Sequence, residues 1–333
     1  MDDRAARPDL PAIPLIDAGA AGPLAVLQAA RDRFDALFQA ARDHYGDRPL
    51  AIGDRLSRAW LAKCRTPYGP DLDACAAVHP QAGVHLLNLS YEWSCTTAVG
   101  PAPSGRGNRL LRTLDWPLDG LGRNVVVARH EGAAGPWYNV TWPGFVGAAT
   151  AMAPGRFAAA INQPPVPRRS GILWLDWAAE RLVVWRRRDL PPMHLLRRVF
   201  ETCRDYDEAK AALSRTPVAV AAVFSLSGAE PGQGCIIERT ATGAWQREGQ
   251  AAIANHWLAA PFAGRPRGID SAGRLTRMER CLDGVENGFD WVAPPILCPI
   301  TRLAVTANAA AGTLEVRGYE GGAPATREFS LPA

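Results

Sequence analysis

The sequence predicts an α+β protein built of largely antiparallel sheets, and three observations point there. Short apolar runs broken by Gly- and Pro-bearing turns occur between residues 110 and 161 and again between 218 and 254. Helical patterns stand between and after these groups, so the order reads strands, helices, strands, helix, strands rather than an alternating βαβ array. The chain of 333 residues is 47% hydrophobic and 21% charged, a globular balance with enough apolar material for a large core.

Taken in order, residues 1 to about 22 are rich in Pro and Ala and read as an extended lead-in. Leu24, Leu27, Phe34, Leu37, Phe38, Ala41 and Tyr45 then recur at helical spacing, with Gly46 as the stop. The mixture of Asp and Arg on the polar face of this helix suits packing on its own protein better than a membrane surface. The run 84–89 reads as a strand, as do 110–114, 125–128, 145–151 and 157–161. Helices are expected at about 193–203 and 206–214. Strands follow at 218–226, 235–238 and 251–254, separated by the turn-forming "SGAEPGQG" and "TATG". A helix at 271–282 and strands near 301–306 and 313–316 close the chain. There is no internal repeat and no phosphate-binding glycine loop.

Composition narrows the function classes. The net charge is +4, and only Lys63 and Lys210 are lysines. The one tight basic run, Trp185-Arg186-Arg187-Arg188, reads as a solvated face, so no nucleic-acid partner is expected. The seven cysteines, at 64, 75, 95, 203, 235, 281 and 298, form no CxxC pair. Neither a disulfide framework nor a zinc site is indicated, no cofactor or metal is expected, and a reducing compartment is the default. The opening "MDDRAARPDLPAIPLIDAG" lacks the basic start and apolar core of a signal peptide. No apolar run approaches the length of a membrane span. The expectation is a cytoplasmic protein with no transmembrane segment, peripheral membrane contact being left open.

Six residues are candidates for chemistry. Cys95 stands alone in "NLSYEWSCTTAVG", either as a buried core thiol or as a nucleophile. Arg112 and Asp115 follow in "LLRTLDWP" on what a hairpin would make the adjacent strand. Side chains alternate along a strand, so both reach Cys95 only at a bulge or strand end near residues 113–114; otherwise they are an ordinary salt-bridged pair. Asn162 ends "RFAAAINQPP" and Asn255 sits in "AAIANHW", each also readable as a turn former. Arg274, in "SAGRLTRMERC", opens a helix, where a cation is not the favoured charge; that hints at an anionic or carbonyl partner.

The segments "LNLSYEWSCTT", "RTLDWP", "WPGFVGAATAMAPGRFAAAINQ", "SRTPVAVAAVFSLSGAEPGQGCIIERT", "IANHW" and "GRLTRMERCL" resemble, in order, the N-terminal-nucleophile (Ntn) cysteine hydrolases of the choloylglycine hydrolase superfamily. The acid ceramidase and N-acylethanolamine-hydrolysing acid amidase branch is the most similar. The resemblance implies a four-layer αββα sandwich of two largely antiparallel sheets flanked by helices. It also implies an inactive precursor cut between Ser94 and Cys95, so that residues 1–94 form an α chain and 95–333 the catalytic β chain, still associated. Cys95 would then attack a linear N-acyl amide, giving a thioester that water hydrolyses. Its freed α-amino group, with a reference pKa of ~7.7–8.0, would accept the thiol proton. By the same resemblance Asp115 orients that amine and Arg112 sits against the sulfur and substrate carbonyl. Asn255 donates to the oxyanion with Asn162 in support, and Arg274 braces the site. Two segments depart from the branch: "IANHW" lacks its Tyr-Asp insert, and "AGRLT" keeps Arg274 without the second arginine. Those relatives are lysosomal and secreted, and their acid-optimum behaviour is not carried over. The expected partner is a small N-acyl amide with an apolar acyl chain. Trp93, Trp116, Trp137, Trp142, Trp174, Trp177 and Trp257 line its pocket or belong to the core. Two other readings remain: an acyltransferase that passes the acyl group to an amine, and an unprocessed, non-catalytic lipid-binding protein.

Overall fold

In the computed structural model, which describes residues 10–79, 81–90, 92–284 and 288–331, two β-sheets lie face to face with helices on both outer sides. The first described element is strand β1 (Leu15–Gly19), which pairs in parallel with a later strand at a sheet edge, so the described part of the expected lead-in is not wholly extended coil; residues 1–9 of it lie outside the described residues. Helices α1 (Gly22–Ala29), α2 (Arg31–Tyr45), α3 (Asp47–Leu61), α4 (Gly69–Ala77) and α5 (Val84–Leu89) follow.

Two expectations are corrected here. The single helix over 24–45 breaks at Ala30, whose dihedrals (φ −129, ψ 47) leave the helical region. The break has a packing cause. Val26 and Ala30 sit with Ile16, Ala18, Val126 and Ala128, whereas Phe34, Leu37 and Phe38 enter the main core, and one straight stripe cannot serve both. The run 84–89 is helical rather than extended, since a short apolar run does not declare its period. Asn88 locks it: its side chain donates to Val84 O and Gly144 O and accepts from the Val146 N–H.

Strands β2 (Ser94–Pro101), β3 (Asn108–Asp115), β4 (Val126–Gly132), β5 (Gly135–Thr141), β6 (Thr150–Ala153) and β7 (Phe157–Asn162) come next, then the two-residue β8 (Val166–Pro167). The strand expected at 145–151 begins only at Thr150. Gly144 adopts φ +81, and Gly147 packs where a Cβ would lie 2.7 Å from Met193, so 145–149 is a loop. Helices α6 (Leu173–Arg186), α7 (Pro192–Thr202) and α8 (Tyr206–Arg215) precede β9 (Ala222–Gly228), β10 (Gly234–Arg239), β11 (Ala244–Glu248), β12 (Ala251–Ile253) and the short β13 (Gly264–Arg265). Helix α9 (Ser271–Asp283) leads to β14 (Thr301–Asn308), β15 (Thr313–Glu320), β16 (Ala323–Pro324) and β17 (Phe329–Leu331).

One sheet runs β1-β4-β5-β6-β7-β9-β10-β11, antiparallel except for β1–β4. The other runs β12-β2-β3-β14-β15-β16, with β17 also on β15. Alternation decides which face each residue serves. On β2, β3 and β14, Val99, Leu110, Leu114, Leu303 and Val305 enter the core between the sheets. Ala98, Leu111 and Ala304 point the other way and pack with Met278 and Cys281 of α9. On the first sheet α7 supplies Leu195, Leu196, Val199 and Phe200 to the outer layer. Both faces are therefore covered, which is why these strands read as nearly continuous apolar runs. The architecture is the expected α+β four-layer αββα sandwich. Among the described residues, no helix is long and apolar enough to cross a membrane.

Candidate active site

Cys95 is the second residue of β2, and pairing with β3 sets what surrounds it. Ser94 opposes Asp115, Cys95 opposes Leu114, and Thr97 opposes Arg112. Opposed residues share a face, so Arg112 lies on the thiol's side and Asp115, the last residue of β3, on the other. The β2–β3 register is unbroken across 113–114; the irregularity lies on β14, between Thr301 and Leu303. Arg112 and Asp115 are not a salt-bridged pair. Arg112 goes to the sulfur, and Asp115 pairs with Arg274 at 3.6 Å.

On the inter-sheet face the Arg112 Nη2 donates to Cys95 Sγ at 3.1 Å and to Ile161 O at 3.0 Å, while Nη1 donates to the Thr150 hydroxyl. Nε has no partner. Cys95 and Arg112 are completely buried. Burial pushes the thiol up to about 11 against the pull of Arg112, and burial likewise lowers the Arg112 guanidinium. In the uncut chain the sulfur is thus a neutral thiol at pH 7, and a poor nucleophile.

The backbone of Cys95 is held from the other side. Pairing of β12 with β2 stops at Ile253 opposite Thr97. Where the ladder would continue, the Asn255 side chain takes over: its Oδ1 accepts the Cys95 N–H at 2.8 Å and Arg274 Nη2 at 3.0 Å. Its Nδ2 donates to Gln163 O at 2.7 Å, which settles the orientation of the amide. Arg274 Nη1 donates to Cys95 O at 2.7 Å and to the Thr96 hydroxyl at 2.8 Å, and Nε to Ile269 O at 2.8 Å. The carbonyl partners hinted at by a cation early in α9 are the chain's own. Asp270 caps that helix, accepting from the Gly273 N–H at 2.9 Å. Asp115 accepts from the Thr301 hydroxyl at 2.8 Å and the Ser94 hydroxyl at 3.4 Å. Burial raises its carboxyl above the usual range, and Arg274 opposes the shift. Asn162 sits at the end of β7, accepting from the Thr97 hydroxyl at 2.6 Å and donating to Ala254 O at 3.3 Å.

All six candidates therefore converge on residues 94–97, on both faces of β2. Asn162 and Asn255, readable from sequence as turn formers, have both amide ends engaged in the site. Several supporting groups escaped the sequence reading. Ser271 Oγ accepts the Asn255 N–H, and Glu238, fully buried, accepts the Leu258, Ala259 and Ala260 N–H groups behind Trp257. Single hydroxyls and carboxylates at such sequence separations leave no local signal.

The tryptophans divide. Trp93 is fully buried, stacks on Trp116 at 6.2 Å and lies 5.8 Å from the Arg112 guanidinium; Trp142 meets Trp116 edge-on. Trp116 and Trp142 line an apolar cavity of about 70 Å³ with Phe34 and Phe38. Trp137 stacks in the core between His130 and Phe200. Trp257 lines a second cavity, of about 470 Å³. The side chains of Trp174 and Trp177 lie outside the described residues. Among the described residues, no group of three His, Cys, Asp or Glu side chains is placed to hold a metal ion.

No family model matches the chain. Among curated proteins it is similar to a probable acid ceramidase of Caenorhabditis elegans, 28% identical over 53% of this chain and 48% of the relative. It is 31% identical to human acid ceramidase over 30% of this chain and 24% of that protein. It is 28% identical to the rabbit (Oryctolagus cuniculus) N-acylethanolamine-hydrolysing acid amidase over 47% of this chain and 43% of that one. The chain thus spans about half the length, or less, of the curated relatives it matches. Among solved structures, the Caenorhabditis elegans orthologue of that amidase superposes with a TM-score of 0.51 at 18% identity, over 65% of this chain and 93% of the other, which shows a shared fold. The chain is thus similar in sequence to acid ceramidases and to an N-acylethanolamine-hydrolysing acid amidase, and it shares the αββα fold of the amidase's Caenorhabditis elegans orthologue.

Proposed function

We propose that the chain is the precursor of a cysteine amidase that cuts itself between Ser94 and Cys95 and then hydrolyses a linear N-acyl amide through a thioester. One observation carries the reading: a single residue, Cys95, has its sulfur bonded to a buried arginine and its own peptide group gripped by Asn255 and Arg274. A structural core cysteine has no use for that grip.

In the first step the sulfur attacks the Ser94 carbonyl carbon and the Cys95 nitrogen leaves as an amine. Water then releases the Ser94 carboxylate, giving chains 1–94 and 95–333 that stay associated through the shared core. The new α-amino group takes the thiol proton, and the thiolate attacks the substrate carbonyl. The oxyanion accepts from Arg112 and from Asn255, whose Nδ2 turns from Gln163 O once the Cys95 N–H has become an amine. Asn162 keeps β7 and β12 in place, Asp115 orients the amine, and Arg274 fixes the Cys95 backbone. Expulsion of the amine product leaves the acyl group on sulfur until water removes it.

The charge count suits this path. Arg112 and Arg274 against Asp115 leave one net positive charge around Cys95, matched by one thiolate or one oxyanion. Such preorganised donors contribute most where water is excluded, and Cys95 has no exposed surface.

The test is release of fatty acid from N-dodecanoylethanolamine by purified protein and by Cys95→Ala, with an added primary amine as alternative acceptor. Free acid from wild type alone supports the amidase. A new amide in place of acid supports the transferase of the same fold. Neither product, together with tight binding of the amide, supports the non-catalytic reading.

A further inference from the structure

Asn255 is gripped through its main chain as well as its side chain, and one helix does both. The hydroxyl oxygen of Ser271, the first residue of α9, accepts the Asn255 N–H at 3.0 Å. Three residues on, along the same helix face, Arg274 Nη2 donates to Asn255 Oδ1 at 3.0 Å. The Asn255 carbonyl accepts the Arg267 N–H at 3.3 Å. Ser271 is buried, so its own hydroxyl proton needs an acceptor inside the fold. Among the described residues, the acceptor it reaches is Nδ1 of His256, at 2.8 Å.

That bond fixes the state of the imidazole. A neutral ring with its proton on Nε2 offers Nδ1 as an acceptor, and the chain from Asn255 N–H through the Ser271 hydroxyl to His256 is then complete. A proton added at Nδ1 removes the acceptor. The Ser271 hydroxyl then either keeps an orphaned proton in the interior or turns away from Asn255, and both weaken the hold. The surroundings of the half-buried ring favour the neutral form. Burial holds its titration below the ordinary imidazole value of 6.5 and Arg274 adds to this, while Glu238 of β10 and Glu279 of α9 pull the other way.

We propose that His256, acting through the Ser271 hydroxyl, is a positioning residue for Asn255: the neutral ring holds Asn255 against the Cys95 peptide, and a protonated ring releases that hold. That Asn255 serves self-cleavage rests on the amidase reading above; the coupling of His256 to Asn255 does not.

Both are tested on the full chain. Cys95→Ala protein, carrying isotope-labelled histidine and asparagine, is titrated by NMR from about pH 4.5 to about pH 8. His256→Gln and Asn255→Asp in that background identify the two signals. At neutral pH the His256 proton is expected on Nε2. The Asn255 main-chain N–H signal should move with the same midpoint as the imidazole, below 6.5, and Ser271→Ala should uncouple the two. For chains freshly translated in vitro with Cys95 intact, the rate of cutting is then read by mass against pH. It should fall on the acid side with the His256 midpoint, since no free α-amino group exists at residue 95 before the cut. The ratio of the rate at about pH 5 to that at about pH 7 should rise at least ~2-fold in His256→Gln. Ser271→Ala should slow cutting ~10-fold. A ring proton on Nδ1, an Asn255 signal indifferent to His256, or coupling that survives Ser271→Ala overturns the inference. So does cutting whose pH profile is unchanged in His256→Gln, which leaves the amidase standing. A chain that never cuts sinks the amidase reading, and the Asn255 signal alone then decides the role of His256.

Discussion

Single residues carry the chemistry, and they were unequally legible. The Cys95–Arg112 partnership follows from hairpin register once the strands are granted, because Arg112 opposes Thr97 and shares the thiol's face. Alternation also separates Asp115 from Arg112, and the structure keeps them on opposite faces. What spacing could not reveal is the group that meets Asp115: Thr301 lies on a strand far along the chain, and its hydroxyl has no sequence signature. Arg112→Ala should cut amide hydrolysis by ~10²–10³. It should also move thiol ionisation in the processed enzyme to higher pH, since the guanidinium is the group that pulls it down. The rate of alkylation of Cys95 against pH reads this directly, and an unshifted profile would place Arg112 outside the mechanism. Thr301→Val removes a buried donor to Asp115 and the acceptor of the Cys298 N–H, and should cost ~1–3 kcal/mol in denaturant unfolding.

At the scale of elements, strands were easier to read than the helices before them. The runs around 110–114 and 157–161 became β3 and β7 because two buried faces leave an unmistakable apolar string. The 84–89 run misled because six residues hold too few turns to show a period, and its fate is decided by Asn88 bonding across to Gly144 and Val146. Helices α3, α4 and α6 were not anticipated at all. Pro49 and Gly53 blur the first, and much of the last presents side chains to solvent rather than a core stripe. The loop before α9 bears most directly on function. Gly268 adopts φ +71, and a Cβ there would lie 2.3 Å from the Ser94 hydroxyl oxygen. Gly268→Ala therefore presses on Ser94, the residue before the proposed cleavage point. It should lower stability by ~1–3 kcal/mol and slow the appearance of cut chains at least several-fold. Cleavage and melting like wild type would show that this loop does not position Ser94.

For the whole molecule, the layered α+β architecture was legible from the order of its elements, whereas the pairing of the distant strands β12 and β14 with the β2–β3 hairpin was not, since nothing local records which distant strands meet. The completed fold buries groups that tie its stability to pH. His130 and His194 are held down to about 4 and about 3 by burial and by Arg197, against 6.5 for a free imidazole. Lowered values mean that their contribution is full above about 6.5 and is lost as pH falls toward 3. His85, raised by Asp54, opposes this in part. Cys64, Cys75 and Cys235 are pushed up to about 12 from 9, so their contribution holds below 9 and fades as pH rises through 12. The melting temperature should therefore be highest between about 6.5 and 9, and a scan that peaks near pH 5 would contradict this. The central claim concerns one bond in this frame, and the intact mass of purified protein beside Cys95→Ala tests it most directly. Masses of 1–94 and 95–333 in the wild type, with only the full-length 333-residue chain in the variant, are the expected result. A wild-type chain that stays whole across pH, or a variant that is cut at the same bond, would contradict it.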